Sequence, residues 1–283
     1  MAVTELTEAS TSRYAKVGDL KIHYNDTETA GSVVICLHGA GPGASSWSNF
    51  VRNVAPLSQR HRVILADMPN YGKSDDFIGD DPNLNVRVTV GLMDALGIER
   101  AHFIGNSAGA TASLNIAADH PSRVLRIVAM GPGSRGSTFV PQPTEGIKVL
   151  SAGHMNPTLE NLRALANVML YDASQISDEA LQVRVDTALR HLDAQRQNRG
   201  AAQRDGRVFT GRPMGPARDY STIQCPVLLV WGRDDRVNPF DTGLALLRDV
   251  RTANMFIFNN CGHWAQFEHA EAFNRLVLDF LNG

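Results

Sequence analysis

A serine, a pair of adjacent carboxylates and a histidine stand far apart in this chain, yet together they could do nucleophilic chemistry: Ser107, Asp234-Asp235 and His263. Ser107 lies in Gly105-Asn106-Ser107-Ala108-Gly109. Ala101-His102-Phe103-Ile104 before it reads as a short buried strand, and the alanine-rich run from Ala110 to Asp119 reads as a helix. A serine between glycines at such a turn sits in strained backbone that leaves no room for bulk two residues to either side. Its hydroxyl is presented at a helix N-terminus, where free N–H groups can stabilise an anionic oxygen. A serine hydroxyl is a poor nucleophile at neutral pH and needs an adjacent base. His263, in Asn260-Cys261-Gly262-His263-Trp264, follows the last strand and offers an imidazole that titrates near neutrality. A carboxylate in the turn Trp231-Gly232-Arg233-Asp234-Asp235 could fix that imidazole in one tautomer.

Each piece alone has an ordinary reading. A G-x-S-x-G motif can arise by chance, an Asp pair can merely cap a turn, and most of the 9 histidines belong on the surface. Their agreement in placement separates them from that background. The order serine, acid, histidine is similar to the triad of α/β-hydrolases and unlike the chymotrypsin and subtilisin orders. Turns of that family place the acid three residues after the glycine, which selects Asp235. The oxyanion would take two N–H donors, Ala108 and one from the loop His38-Gly39-Ala40-Gly41-Pro42-Gly43-Ala44, most simply Ala40. The same loop also fits a relaxed dinucleotide fingerprint, Gly39-x-Gly41-x-x-Ala44, with Asp67 ending the next strand. That nicotinamide reading leaves Ser107, Asp235 and His263 idle. No phosphate-loop or zincin spacing occurs, and His263 and His269 lack a third partner, so neither metal nor cofactor is expected.

The elements that must position these residues follow from hydrophobic pattern. Leu20, Ile22 and Tyr24 alternate after the turn Gly18-Asp19, as in an early hairpin, and residues 1–13 read as a loose tail. Buried strands are expected at Val33–Leu37, Val63–Ala66, Ile127–Met130, Val227–Trp231 and Met255–Phe258. Helices are expected around Trp47–Val54, Val86–Leu96, Asp241–Val250 and Glu271–Leu281. From about Ser134 to Pro213 strand runs vanish and helical stretches such as Leu159–Tyr171 and Ser177–Arg190 replace them; residues 195–218 are rich in Arg, Gly and Gln. The pattern is an α/β fold with a mostly parallel sheet (residues 1–133 and 214–283) and an inserted helical lid (134–213).

Composition bounds the rest. The chain has 283 residues, 43% hydrophobic and 20% charged, enough for one large folded core. A net charge of −2 favours neither nucleic acid nor an anionic membrane surface. No apolar run can span a bilayer, no signal peptide is visible, and the 3 cysteines have no disulfide spacing, which fits a reducing cytoplasm.

Longer stretches carry a closer resemblance. His38-Gly39-Ala40-Gly41-Pro42-Gly43-Ala44-Ser45-Ser46-Trp47-Ser48-Asn49, Gly105-Asn106-Ser107, Met130-Gly131-Pro132-Gly133, Pro143-Thr144-Glu145-Gly146 and Cys261-Gly262-His263-Trp264 are similar to meta-cleavage-product hydrolases. These α/β-hydrolases split a carbon–carbon bond in 2-hydroxy-6-oxo-hexa-2,4-dienoates, the ring-opened products of aromatic degradation. The resemblance implies ketonisation of the dienol, attack on the side-chain carbonyl with Ser107 and His263, and release of a 2-hydroxypenta-2,4-dienoate and a carboxylic acid. It implies that Arg184 grips the dienoate end, with Asn49, Asn106 and Trp264 contacting the same end. It leaves the C6 substituent and any homo-oligomer open. Ala40 and Ala110 stand where the family usually has glycine, and both methyls are expected to narrow the site. Two other readings remain: a carboxylesterase on the same triad, and a non-catalytic ligand receptor on a hydrolase fold.

Overall fold

The computed structural model describes residues 6–133, 136–204 and 218–283, with no side-chain detail for 199–204. The elements run α1 (Glu8–Thr11), β1 (Ser12–Val17), β2 (Leu20–Asp26), β3 (Ser32–Leu37), α2 (Ser46–Phe50), α3 (Val54–Ser58), β4 (His61–Ala66), α4 (Leu84–Ala95), β5 (Ala101–Asn106), α5 (Ala108–Asp119) and β6 (Val124–Met130). Then come α6 (Glu145–Met155), α7 (Leu159–Met169), α8 (Asp178–Arg190), α9 (Leu192–Arg204), β7 (Val227–Gly232), α10 (Asp241–Asp249), β8 (Ala253–Phe258), α11 (Ala265–Glu268) and α12 (Ala270–Asn282).

The strands form one 8-stranded sheet in the order β1-β2-β4-β3-β5-β6-β7-β8. The β1–β2 hairpin and the β2–β4 pair are antiparallel. From β4 to β8 every pairing is parallel. Parallel strands covered on both faces need apolar residues at consecutive positions. β5 and β7 are accordingly buried at every residue. Two hydrophobic clusters occupy the two faces. One packs Phe103, Leu114 and Trp231, the other Phe50, Val230 and Phe273. A third lies within the helices α6–α8 and takes in Val237 and Trp264 from the segments after β7 and β8.

Parallel strands share one direction, so the loops after β3, β5, β6, β7 and β8 emerge along one edge. That edge receives the loop after β3, Ser107, Gly131, Asp235 and His263. Helices α6–α9, in the segment expected to form a lid, follow β6 and precede β7. The boundary positions 134 and 213, and much of the Arg/Gly/Gln-rich stretch, lie outside the described residues. No helix among the described residues is long and apolar enough to cross a membrane.

Two local expectations are corrected. Residues 6–13 are not a loose tail: Thr7 and Ser10 close a capping box on α1, β1 begins at Ser12, and Thr11 is buried against Asn25. Residues 1–5 lie outside the described residues. The helix expected over Trp47–Val54 is two short helices. The first ends at Phe50, and Asn53 starts the second, its buried side chain donating to Gln266 O and Asn274 Oδ1. Val51, between them, is exposed.

Candidate active site

Ser107 has φ 52° and ψ −112°, a backbone conformation costly for any L residue other than glycine. The surroundings enforce it. A Cβ on Gly105 would collide with Gly109 O, and one on Gly109 with Leu37 O. Ser107 N–H donates to Met130 O at 2.8 Å, tying the turn to β6. Ser107 precedes the first residue of α5, so the N–H of Ala108 has no partner within the helix.

Asp235 and His263 meet as a buried pair, with His263 Nδ1 2.6 Å from Asp235 Oδ2. The carboxylate fixes the proton on Nδ1 and leaves Nε2 as the acceptor. Asp235 is itself held, its Oδ1 accepting from the N–H groups of Val237 (2.8 Å) and Asn238 (2.9 Å). Asp234 points elsewhere and accepts from Cys261 N–H at 3.3 Å. His263 Nε2 is buried without a hydrogen-bond partner, and no bond closes between it and Ser107. Ser107 and His263 line the same cavity of about 180 Å³. The lid seats the histidine loop. His263 N–H donates to Met169 O at 2.6 Å, while Glu268 bridges Gly262 N–H (2.8 Å) and Tyr171 N–H (2.6 Å). Burial raises the Glu268 pKa above the usual carboxylate range.

Every sequence-predicted site residue except Asp235 lines that cavity, Ala40, Ala108, Asn49, Asn106, Arg184 and Trp264 among them. Asn106 Nδ2 donates to His263 O at 3.2 Å, while its Oδ1 is buried and unpartnered. Asn49 Oδ1 accepts from Gly39 N–H at 3.2 Å, so the asparagine holds the loop after β3 as well as facing the cavity. Trp264 is buried beneath Arg184, whose Cζ stands 5.2 Å from the ring centroid.

Arg184 is the unusual member. It comes from lid helix α8, is 5% exposed, and finds only a long 3.5 Å bond from Nη1 to Ser48 Oγ. Nη2 has no partner at all. Burial lowers the guanidinium pKa to about 10. A Cβ on Gly41 would come within 3.0 Å of Nη2, so the glycine lets the cation rest against the loop after β3. An unpaired buried cation is costly, and an anion entering this cavity would relieve it.

Two expectations change. Ala110 does not narrow the site: it is fully buried in the sheet core, under Gly105, and only Ala40 faces the cavity. Asp67, the acid of the nicotinamide reading, has both oxygens committed to the protein. Oδ1 accepts from Ser46 N–H at 2.8 Å, and Oδ2 pairs with His23 Nδ1 at 2.8 Å and Lys73 N–H at 3.0 Å. The sequence reading missed His38. Its Nδ1 lies 2.8 Å from Gly39 O and its Nε2 accepts from Met68 N–H at 3.0 Å, while burial lowers its pKa. Its position directly before the glycine of the loop was the only available signal.

A strained serine, a carboxylate-oriented histidine and a helix N-terminus on one edge of a parallel sheet define a serine-triad hydrolase. The model of the α/β-hydrolase fold family matches residues 32–270. A 2-hydroxy-6-oxononadienedioate/2-hydroxy-6-oxononatrienedioate hydrolase of Pseudomonas putida is 46% identical over 98% of each chain. A 2-hydroxy-6-oxo-6-phenylhexa-2,4-dienoate hydrolase of Comamonas testosteroni is 43% identical over 99% of each. The solved meta-cleavage product hydrolase of Pseudomonas fluorescens superposes with a TM-score of 0.82 at 29% identity, covering 97% of this chain and 98% of that one. This chain belongs to the α/β-hydrolase fold family and, within it, to the meta-cleavage-product hydrolases.

Proposed function

We propose that this protein hydrolyses the C5–C6 bond of a 2-hydroxy-6-oxo-hexa-2,4-dienoate. The observation that carries the reading is the buried, unpartnered Nη2 of Arg184 in the same cavity as Ser107 and His263. A dienoate presents a carboxylate beside an oxygenated carbon, which a guanidinium can grip with two parallel bonds. A simple ester has no such end, so a plain carboxylesterase leaves Arg184 without a role, and a non-catalytic receptor leaves the triad without one.

In this reading Arg184 binds the carboxylate end, with Asn49, Asn106 and Trp264 beside it, and stabilises charge moved there as the dienol becomes a ketone. Ser107 and His263 act on the C6 carbonyl. Asp235 supports the imidazolium, and the N–H groups of Ala40 and Ala108 receive the oxyanion. The C5–C6 electron pair flows into the ketonised dienoate, and water completes the carboxylic acid. Thr111, Asn85 and Asn115 line the α4–α5 wall, and Asn115 Oδ1 is held by Tyr220 OH at 2.7 Å. Val86 and Ala112 share that wall, and Thr111 Oγ1 is engaged with Ser107 O and Gly133 O. The reading places the protein in the cytoplasm, where its free cysteines stay reduced. The test is kcat/KM for coloured dienoates bearing different C6 groups against an aryl acetate. Preference for the dienoates by orders of magnitude is expected; preference for the acetate would sink the proposal.

A further inference from the structure

The N–H assigned to the oxyanion belongs to the Gly39–Ala40 peptide. From the sheet side that peptide is held by His38, whose Nδ1 donates to Gly39 O at 2.8 Å. In a trans peptide the C=O and N–H point opposite ways, so this bond turns the Ala40 N–H away from His38. The next peptide is held from the lid. His154, on α6 and buried, brings Nε2 to 2.7 Å from Ala40 O. Its Nδ1 stands 3.2 Å from Gln195 Oε1 on α9, and Gln195 Nε2 donates to Asn70 O at 2.8 Å. Tyr71 OH reaches Ala40 O at 3.4 Å. The lid presses on this loop at two further points. A Cβ on Gly153 would lie 3.3 Å from Pro42 Cγ, and one on Gly43 would strike Arg184 O.

We propose that His154 is a positioning residue for the oxyanion hole. The peptides on both sides of Ala40 are fixed, one from the core and one from the lid, so φ and ψ of Ala40 have little freedom left. An oxyanion donor contributes only when it is aimed before charge develops. His154 supplies the lid's half of that aim, and the Ala40 N–H is fully directed only while α6 and α9 are seated. His154 does not line the cavity, so its effect falls on turnover and not on substrate binding. The inference rests on Ala40 being the oxyanion donor, but not on the dienoate, because ester hydrolysis uses the same donor.

The experiment measures kcat and KM on both 4-nitrophenyl acetate and a dienoate for His154→Ala, His154→Gln and Gln195→Leu, with Tm recorded for each. Losing an oxyanion donor outright costs about a hundredfold or more in kcat; a donor that is present but loosened should cost about tenfold. His154→Ala is expected to lose about that factor on both substrates with KM within about twofold. His154→Gln, whose side-chain amide can donate from nearly the same place, should stay within about threefold of wild type. Gln195→Leu should fall between them. Wild-type kcat in His154→Ala, a loss confined to KM, or a folded Gln variant no better than Ala would each overturn the proposal. Should the Ala variant fail to fold, unchanged kcat in Gln195→Leu would overturn it alone.

Discussion

Replacing Arg184 with glutamine should separate binding from folding. The native guanidinium is 5% exposed and leaves Nη2 unpaired, so the free enzyme bears a desolvation cost that no protein acceptor offsets. A carboxylate placed there would form a charge-assisted bond to a buried guanidinium, worth about 2–4 kcal/mol. Arg184→Gln should therefore lower kcat/KM for a dienoate by roughly 30- to 1000-fold. Hydrolysis of an aryl acetate, which has no anionic end, should change by less than about 0.5 kcal/mol. The same substitution removes a buried unpaired charge, so thermal stability of the free protein should rise, by about 2 °C for each kcal/mol recovered. A variant that is more stable yet selectively inactive on the dienoate cannot be explained by damage to the lid. Equal losses on both substrates with a lower Tm would show that Arg184 supports the lid and does not meet the substrate.

Ser107→Ala and His263→Ala should each lower kcat by at least about a thousandfold with the fold intact by circular dichroism, since triad members act as a unit. Asp235→Asn should cost far more activity than Asp234→Asn, because only Asp235 reaches His263; the opposite ranking in steady-state assays would transfer the role. Burial first, then His61, Arg126 and Arg100, lowers the His102 pKa from 6.5 to about 4. Between those values the unfolded chain binds more protons, so stability should fall as pH drops from 6.5 towards 4, by about 1–2 kcal/mol after allowance for solvent screening. Urea unfolding across that window should show a shallower fall in His102→Gln. Activity should survive dialysis against chelator, and NADH should not quench tryptophan fluorescence at micromolar levels; quenching together with activity that persists in Ser107→Ala would favour the nicotinamide reading.

Much of the site could be read from the residues because its constraints are local. The elbow announces itself through Gly105 and Gly109 flanking the serine, required by collisions with the start of α5 and with the end of β3, and buried parallel strands announce themselves as unbroken apolar runs. What stayed hidden depends on long-range packing. Nothing in the stretch Leu181–Arg184 distinguishes a solvated helix face from a cation sealed over Trp264. Asn53, at the start of α3, bonds to residues more than two hundred positions away. Ala110 was expected to narrow the site because it stands where the resembled family usually has glycine, yet the helix turns its methyl into the core. His38 and His154 act through backbone carbonyls of one loop, and the contact between α6 and that loop has no periodic signature.

The most direct test of carbon–carbon hydrolysis is the mass of the products formed from a 2-hydroxy-6-oxo-dienoate in water enriched in oxygen-18. The account predicts two fragments, a 2-hydroxypenta-2,4-dienoate and a carboxylic acid carrying solvent oxygen, with neither formed by Ser107→Ala. An intact dienoate after prolonged incubation with an enzyme that still hydrolyses aryl acetates would contradict it.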